Sequence, residues 1–351
     1  MKLLRLIPAS LLLASSTAQA CCFEFDLAIP VSLTTPKFNV PNFTNSLEST
    51  AFLIASVSRN ANASALLGGT AHIDRSYKIH FHKYWDFGGR ETNYIAAANA
   101  AGYATLSYDR LGVGESEHAD PYFDVQLGTQ IAILKRITKL VRHGHLSKHI
   151  PIPVPDKIVH VGHSYGSLVT NGLVAGSPGI SDGIVLTGFS HDPSWTTTLE
   201  LCLGFEVARV NDAARFGALA SGYLTWGREF ANQCIFFKYP FFEIGDLERA
   251  EAGKAPFAIA ELLLFTSVDL AAAGFEGRFL YMLSGQANLP FCGGDCHGIL
   301  DGPDAQSPFV FPKARPFATY IHPDAAHGIN LHHNASAAYG VVNSFLGENG
   351  L

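Results

Sequence analysis

The chain has 351 residues, of which 48% are hydrophobic and only 15% charged. So apolar a composition excludes global disorder, which needs few hydrophobic residues and a high net charge. The formal charge of −6 includes no basic block, so a duplex-binding surface of clustered Lys and Arg is excluded as well. The length suffices for one large core with an inserted cap.

Residues 1–20 read as a cleaved signal peptide and place the protein outside the cell. Lys2 and Arg5 supply the positive region, Leu11 to Ala14 the apolar stretch, and Ala18-Gln19-Ala20 the small-x-small cleavage pattern. The apolar part is too short for a membrane span, which takes about 20 residues. The longest later apolar run, 258–275, is interrupted by Glu261 and Asp269. Secretion permits disulfides among Cys21, Cys22, Cys202, Cys234, Cys292 and Cys296, without choosing a pairing. A bridge between Cys292 and Cys296 would close a short Gly-Gly-Asp loop, and one between Cys202 and Cys234 would tie one segment to itself. Zinc on Cys292, Cys296 and His297 lacks a second ligand pair at metal-binding spacing. Sequons begin at Asn42, Asn62 and Asn334, as on a secreted glycoprotein.

Residues 21–70, rich in Ser, Thr, Asn and Pro, read as irregular structure with early edge strands. From there strands and helices alternate. Strands are expected at 77–81, 103–108, 157–161, 183–188, 279–283 and 317–321, with helices at 91–101, 124–142 and 335–346. Such alternation implies a mostly parallel sheet covered by helices on both faces. The stretch from about 191 to 275 breaks the rhythm and holds Trp195, Phe205, Phe216, Trp226, Phe230, Phe236, Phe237, Phe241 and Phe242. It reads as an inserted helical cap, its rings packing both its own core and a pocket below.

Directly after the 157–161 strand stands Gly162-His163-Ser164-Tyr165-Gly166, a G-x-S-x-G pattern between strand and helix. A strand that turns at once into a helix strains its middle residue and lifts the Ser164 hydroxyl out of the turn. The two glycines remove side chains that would collide. The Tyr165 N–H then opens a helix, where developing negative charge is favoured. Among fifteen histidines, His327 suits the base best. It lies after the last strand and before the last helix, in a loop that Gly328 keeps flexible. His332 and His333 are expected to face solvent, and the pairs His80/His82 and His143/His145 to be surface or packing residues. Gly112 and Gly114 lack the third glycine of a dinucleotide loop, so no cofactor is implied.

Four segments now carry a resemblance: 108–116 (Tyr-Asp-Arg-Leu-Gly-Val-Gly-Glu-Ser), 162–166, 289–296 (Leu-Pro-Phe-Cys-Gly-Gly-Asp-Cys) and 326–330 (Ala-His-Gly-Ile-Asn). The chain resembles secreted fungal-type serine hydrolases of the α/β-hydrolase superfamily. The resemblance implies the α/β-hydrolase fold, Ser164 as nucleophile and His327 as general base. It also implies that Asp109 and Arg110 shape a turn rather than react. Two departures stand out. Similar proteins place an Asp where this chain has Asn288, which leaves Asp192, favoured for following the 183–188 strand, and Asp295 as acids to orient His327. The usual His-Gly turn, which supplies a second oxyanion donor, is absent from 79–86, so a strand and its loop are expected to be shortened or missing.

The expected function is hydrolysis of an ester with an apolar acyl or alcohol portion, through an acyl-enzyme on Ser164. The alternative is an apolar-ligand-binding protein on the same scaffold, with little or no turnover. Neither nucleic acid nor a transmembrane segment is expected, and oligomeric state is not legible.

Overall fold

The structure, a computed structural model, describes residues 23–58, 61–81, 92–150, 153–263, 270–276, 279–302, 305 and 307–351. The expected signal peptide, Cys21, Cys22 and the stretch 82–91 lie outside these residues. No helix among the described residues is long and apolar enough to cross a membrane.

The chain begins with β1 (Phe25–Phe38), α1 (Ser46–Val57) and β2 (Leu67–Phe81). β1 and β2 pair antiparallel over nearly their whole length. The early edge strands expected before residue 70 are thus present, but as one long paired arm with a helix between its strands rather than as mostly irregular structure. The signal was present as Leu27, Ile29, Val31 and Leu33, alternating with residues that face water. Pro30 and Pro36 within the run argue locally against a strand and hid its period of two. The inward side chains Ile29, Val31, Ile73, Tyr77 and Ile79 pack with Ile133 and Ile137, which belong to α3 (Leu127–Arg142). α2 (Tyr94–Ala100) precedes it, capped by Asn93, whose side chain accepts from Ala96 N.

A four-stranded parallel sheet follows, in the order β3 (Val159–His163), β4 (Gly183–Thr187), β8 (Phe279–Gly285), β9 (Phe317–His322). α4 (Tyr165–Gly176) joins β3 to β4, and α13 (Ala335–Glu348) closes the chain. All five residues of β4 are buried, as a central parallel strand requires. Ile184 and Leu186 pack with Leu168 and Val169 of α4. Val185 points the other way, to Ala338, Val342 and Leu346 of α13. Helices thus cover both faces, as expected.

Residues 103–108, expected to form a strand, join no ladder among the described residues. Their continuation is held to β2 by Asp109 N to His80 O and Glu117 N to Lys78 O, each 2.9 Å. Among the described residues β3 pairs only with β4, so its other edge lacks a strand. The stretch expected to hold a shortened or missing strand and loop, 79–86, lies outside the described residues from 82 onward.

Between β4 and β8 lies the insertion. It contains α5 (Thr196–Leu203), β5 (Glu206–Val207), α6 (Ala208–Asn211), α7 (Ala213–Phe216), β6 (Tyr223–Thr225), α8 (Glu229–Phe236), α9 (Ile244–Ala252), β7 (Phe257–Ala258) and α10 (Ile259–Leu262). It is therefore not purely helical: β5, β6 and β7 form a small antiparallel sheet. Cys202 of α5 is bonded to Cys234 of α8. Leu203, Phe205, Val207, Leu224, Ile235 and Ile259 form the insertion's own core. α11 (Leu289–Cys292) and α12 (Ser307–Val310) lie between β8 and β9. A second bridge, Cys292–Cys296, closes the loop after α11.

Candidate active site

The parallel register brings strand ends together. His163 lies opposite Thr187, and Thr187 opposite Leu283. The loops leaving β3, β4, β8 and β9 therefore emerge along one edge, the usual ligand edge of such sheets. Ser164, Asn288 and His327 stand on three of them.

Only Ser164 separates β3 from α4. Its backbone has φ 53° and ψ −118°, a conformation that costs a non-glycine residue about 1–3 kcal/mol. The surroundings hold it there. Ser164 N donates to Thr187 O at 2.9 Å, and Ser164 O accepts from Ser167 N and Leu168 N. A Cβ on Gly162 would lie 2.5 Å from Gly166 O and 2.6 Å from Ser167 N. Gly162 is thus obligatory for the close approach of strand and helix. Gly166 is not: a Cβ there would meet nothing within 4 Å. Of the two glycines expected to prevent collision, one does so.

His327 is 1% exposed, and its Nε2 accepts from Ser164 Oγ at 2.8 Å. Its ring is boxed by aromatic neighbours. The His163 ring lies 4.9 Å away and that of Phe236, from the insertion, 5.6 Å. Phe291 stacks at 5.6 Å. Burial holds the His327 pKa well below the usual imidazole value, with a lesser push from His163. His163 is lowered to about 4 by burial, so both rings are neutral near pH 7. Gly328 keeps the loop close rather than flexible. Its N donates to Phe236 O at 3.0 Å, and a Cβ would lie 2.9 Å from that oxygen. His332, expected to face solvent, is buried instead. Its Nε2 accepts from Lys238 N and Ala326 N, and its Nδ1 donates to Gly328 O. It pins the loop that carries His327. His333 is exposed beside Glu243.

The far side of the His327 ring departs from expectation. Its buried Nδ1 has no hydrogen-bond partner among the described residues. Asp192 does not reach it: Asp192 Oδ1 accepts from Ser194 N at 2.9 Å, closing a local turn. Asp295 is exposed and accepts from His297 N in the same way. Short acidic side chains readily satisfy the backbone two residues on, and here that use removes both from the site. Asn288 is fully buried, with Nδ2 donating to Ser284 Oγ at 2.7 Å and Oδ1 without a partner among the described residues. It lies beside the His327 loop, because Ala287 N donates to Ala325 O and a Cβ on Gly285 would lie 2.1 Å from Ala326 O.

Tyr165 is the first residue of α4, so its N–H sits at the helix start beside Ser164. The region expected to lack a His-Gly turn continues into 82–91, outside the described residues. Asp109 shapes its turn as expected: its Oδ2 accepts from Glu115 N at 2.9 Å and fills the space a Cβ on Gly114 would need. Arg110 does more than that. It reaches Glu261 of the insertion and lies 4.7 Å from the Tyr165 ring centroid. Sequence reading missed this contact, since its partners are 151 residues apart and carry no shared local pattern. It also missed the rings of Phe236 and Phe291 on His327.

The profile described as "Alpha/beta hydrolase family" matches residues 68–338. The chain is similar in fold to a bromoperoxidase from Bacillus anthracis, at 15% identity and a TM-score of 0.50, covering 78% of this chain and 96% of that one. It is similar likewise to a thermophilic esterase from Thermogutta terrifontis, at 13% identity and a TM-score of 0.50, covering 78% and 94%. No curated protein sequence matches the chain.

Proposed function

The chain belongs to the alpha/beta hydrolase family, and we propose that within it this protein is a serine hydrolase of carboxylic esters with an apolar acyl or alcohol portion. One observation carries the reading: a strained residue presents its hydroxyl 2.8 Å from the Nε2 of a buried, neutral imidazole. In the first step the Ser164 Oγ–H proton passes to His327 Nε2 as Oγ bonds the ester carbonyl carbon. The carbonyl π pair moves to oxygen, beside the Tyr165 N–H. The C–O bond to the alcohol then breaks, and the proton on Nε2 passes to the departing oxygen. Water repeats the sequence on the acyl-enzyme and releases the acid. The apolar preference rests on Phe236 and Phe291 around His327. No cofactor is needed.

Secretion belongs to the same reading. It is supported by the N-terminal pattern and by the Cys202–Cys234 and Cys292–Cys296 bridges. Glycosylation is proposed at the exposed Asn42 and Asn62, but not at Asn334, whose Nδ2 already donates to Pro323 O.

A fluorophosphonate probe tests the chemistry. Labelling of the wild type that disappears in Ser164→Ala is expected; labelling that persists in the variant rules the mechanism out. The unpartnered His327 Nδ1 favours a second reading, a ligand-binding protein on a hydrolase scaffold. Ester turnover that depends on Ser164 dismisses it, and tight retention of an apolar ester without cleavage supports it.

A further inference from the structure

A buried charge at the root of the insertion has no part in the chemistry above. Glu261 of α10 is 1% exposed. Its Oε1 accepts from Arg110 Nη1 and from Gln130 Nε2, and its Oε2 accepts from Ala258 N. Gln130 also donates to Leu111 O, so α3 and the 108–116 turn are drawn into the same knot. Arg110 stacks its guanidinium over the rings of Tyr165 and Phe257, at 4.7 and 5.2 Å. Those rings meet edge to face at 5.4 Å.

The arrangement suits an arginine specifically. A planar guanidinium can stack on two aromatic faces while its N–H groups reach a carboxylate; an ammonium cannot. The ring it grips belongs to Tyr165, the residue whose backbone N–H is proposed to face the oxyanion. Phe257 and Glu261 both belong to the insertion. The contact therefore runs from the insertion, through one cation, to the first residue of α4.

We propose that Arg110 and Glu261 are positioning residues that fix the Tyr165 peptide, so that the oxyanion donor is aligned only while the insertion is seated. This rests on the ester-hydrolase reading for its kinetic consequence, but not for its mechanical one. Removing an oxyanion donor outright lowers turnover by about 10²–10³-fold. A donor left in place but loosened should lower it by less.

The test uses the full chain carrying Arg110→Met, Arg110→Lys or Glu261→Gln. Two quantities are read: kcat and KM on a p-nitrophenyl ester, and hydrogen exchange of the peptide spanning 163–168. The expected result is a kcat lowered about 10- to 100-fold in Arg110→Met with KM within about twofold. Exchange should be faster at 163–168 than elsewhere. Arg110→Lys, which keeps the charge but not the planar stack, should recover only part of the loss. Should Arg110→Met fail to fold, Arg110→Lys and Glu261→Gln carry the same readouts. Unchanged exchange at 163–168 overturns the proposal whatever the turnover does. A uniform rise in exchange along the whole chain also overturns it, since that marks a merely structural role. Faster local exchange in a protein whose wild type cleaves no ester upholds the mechanical tie and removes the hydrolase reading instead.

Discussion

At Asn288 an amide stands where a charge would help. His327 must become an imidazolium during turnover, and burial, with a lesser push from His163, holds its pKa well below the usual value. A carboxylate on Nδ1 would counter that cost, whereas the Asn288 side chain is neutral. In serine proteases the Asp-to-Asn change lowers kcat about 10⁴-fold. Asn288→Asp should therefore raise turnover at least about tenfold, given that the side chain is fully buried beside the His327 loop. The pH profile should move with it. A base with a depressed pKa stays deprotonated into acid, so wild-type kcat/KM should be level from neutral pH down past the ordinary imidazole range of about 6.5. A new carboxylate raises the His327 pKa, so the acid limb should shift upward in Asn288→Asp. Turnover that is unchanged, with an unmoved acid limb, would show that residue 288 does not address the ring. Sequence alone located the amide from its place before Leu-Pro-Phe-Cys. It did not show that Asp192 and Asp295 spend their oxygens on Ser194 N and His297 N, because an Asx turn and a catalytic acid look alike in one dimension.

The strand–Ser164–α4 unit was legible because local chemistry determines it. A Val/Ile strand, one residue and a helix leave a single steric solution, and Gly162 marks where the two backbones touch. The extent of the β1–β2 arm was less legible: Pro30 and Pro36 interrupt its alternation, and its register is set by a partner strand far along the chain. The unit gives a paired expectation. Gly162→Ala places a methyl 2.5 Å from Gly166 O, and backbone cannot retreat from it without breaking the turn. Overpacking of this kind costs about 1–3 kcal/mol or more, so the variant should unfold at markedly lower temperature and lose probe labelling. Gly166→Ala meets open space and trades glycine for a better helix former, worth about 1 kcal/mol. Its melting temperature should match or exceed the wild type. Equal melting temperatures for the two variants would contradict the assignment of the close contact to Gly162.

Across the whole molecule the fold class was readable from the alternation of strands and helices. The contents of the insertion were not, because strands of two or three residues leave no period to detect. The count of buried histidines was equally hidden, since a histidine reads the same in a core as on a surface. That count sets the response to acid. His160, His163, His191 and His332 are each lowered to about 4, all mainly by burial, and burial also lowers His327 well below the usual value. A histidine with a depressed folded-state pKa binds its proton more readily when unfolded. Its contribution is therefore intact above about 6.5 and is lost as pH falls from there towards 4, at up to about 1.4 kcal/mol per pH unit for each ring. Glu200 opposes this: burial raises it to about 7, so its protonation favours the folded chain between about 7 and the ordinary carboxylate value. Burial raises Glu261 and Asp124 too, but it also lowers His118 and His322, so three carboxyls do not offset seven histidines. The melting temperature should be flat from pH 8 to 7 and then fall steeply between pH 6.5 and 4.5. Replacing a single buried ring shows whether the cause is right. In His160→Gln the fall should be shallower by the share of one ring, even where the variant starts from a lower melting temperature at pH 7.5. A melting temperature that stays level from pH 7.5 to 5 would mean that these rings are protonated without unfolding, and that water reaches them in the folded protein.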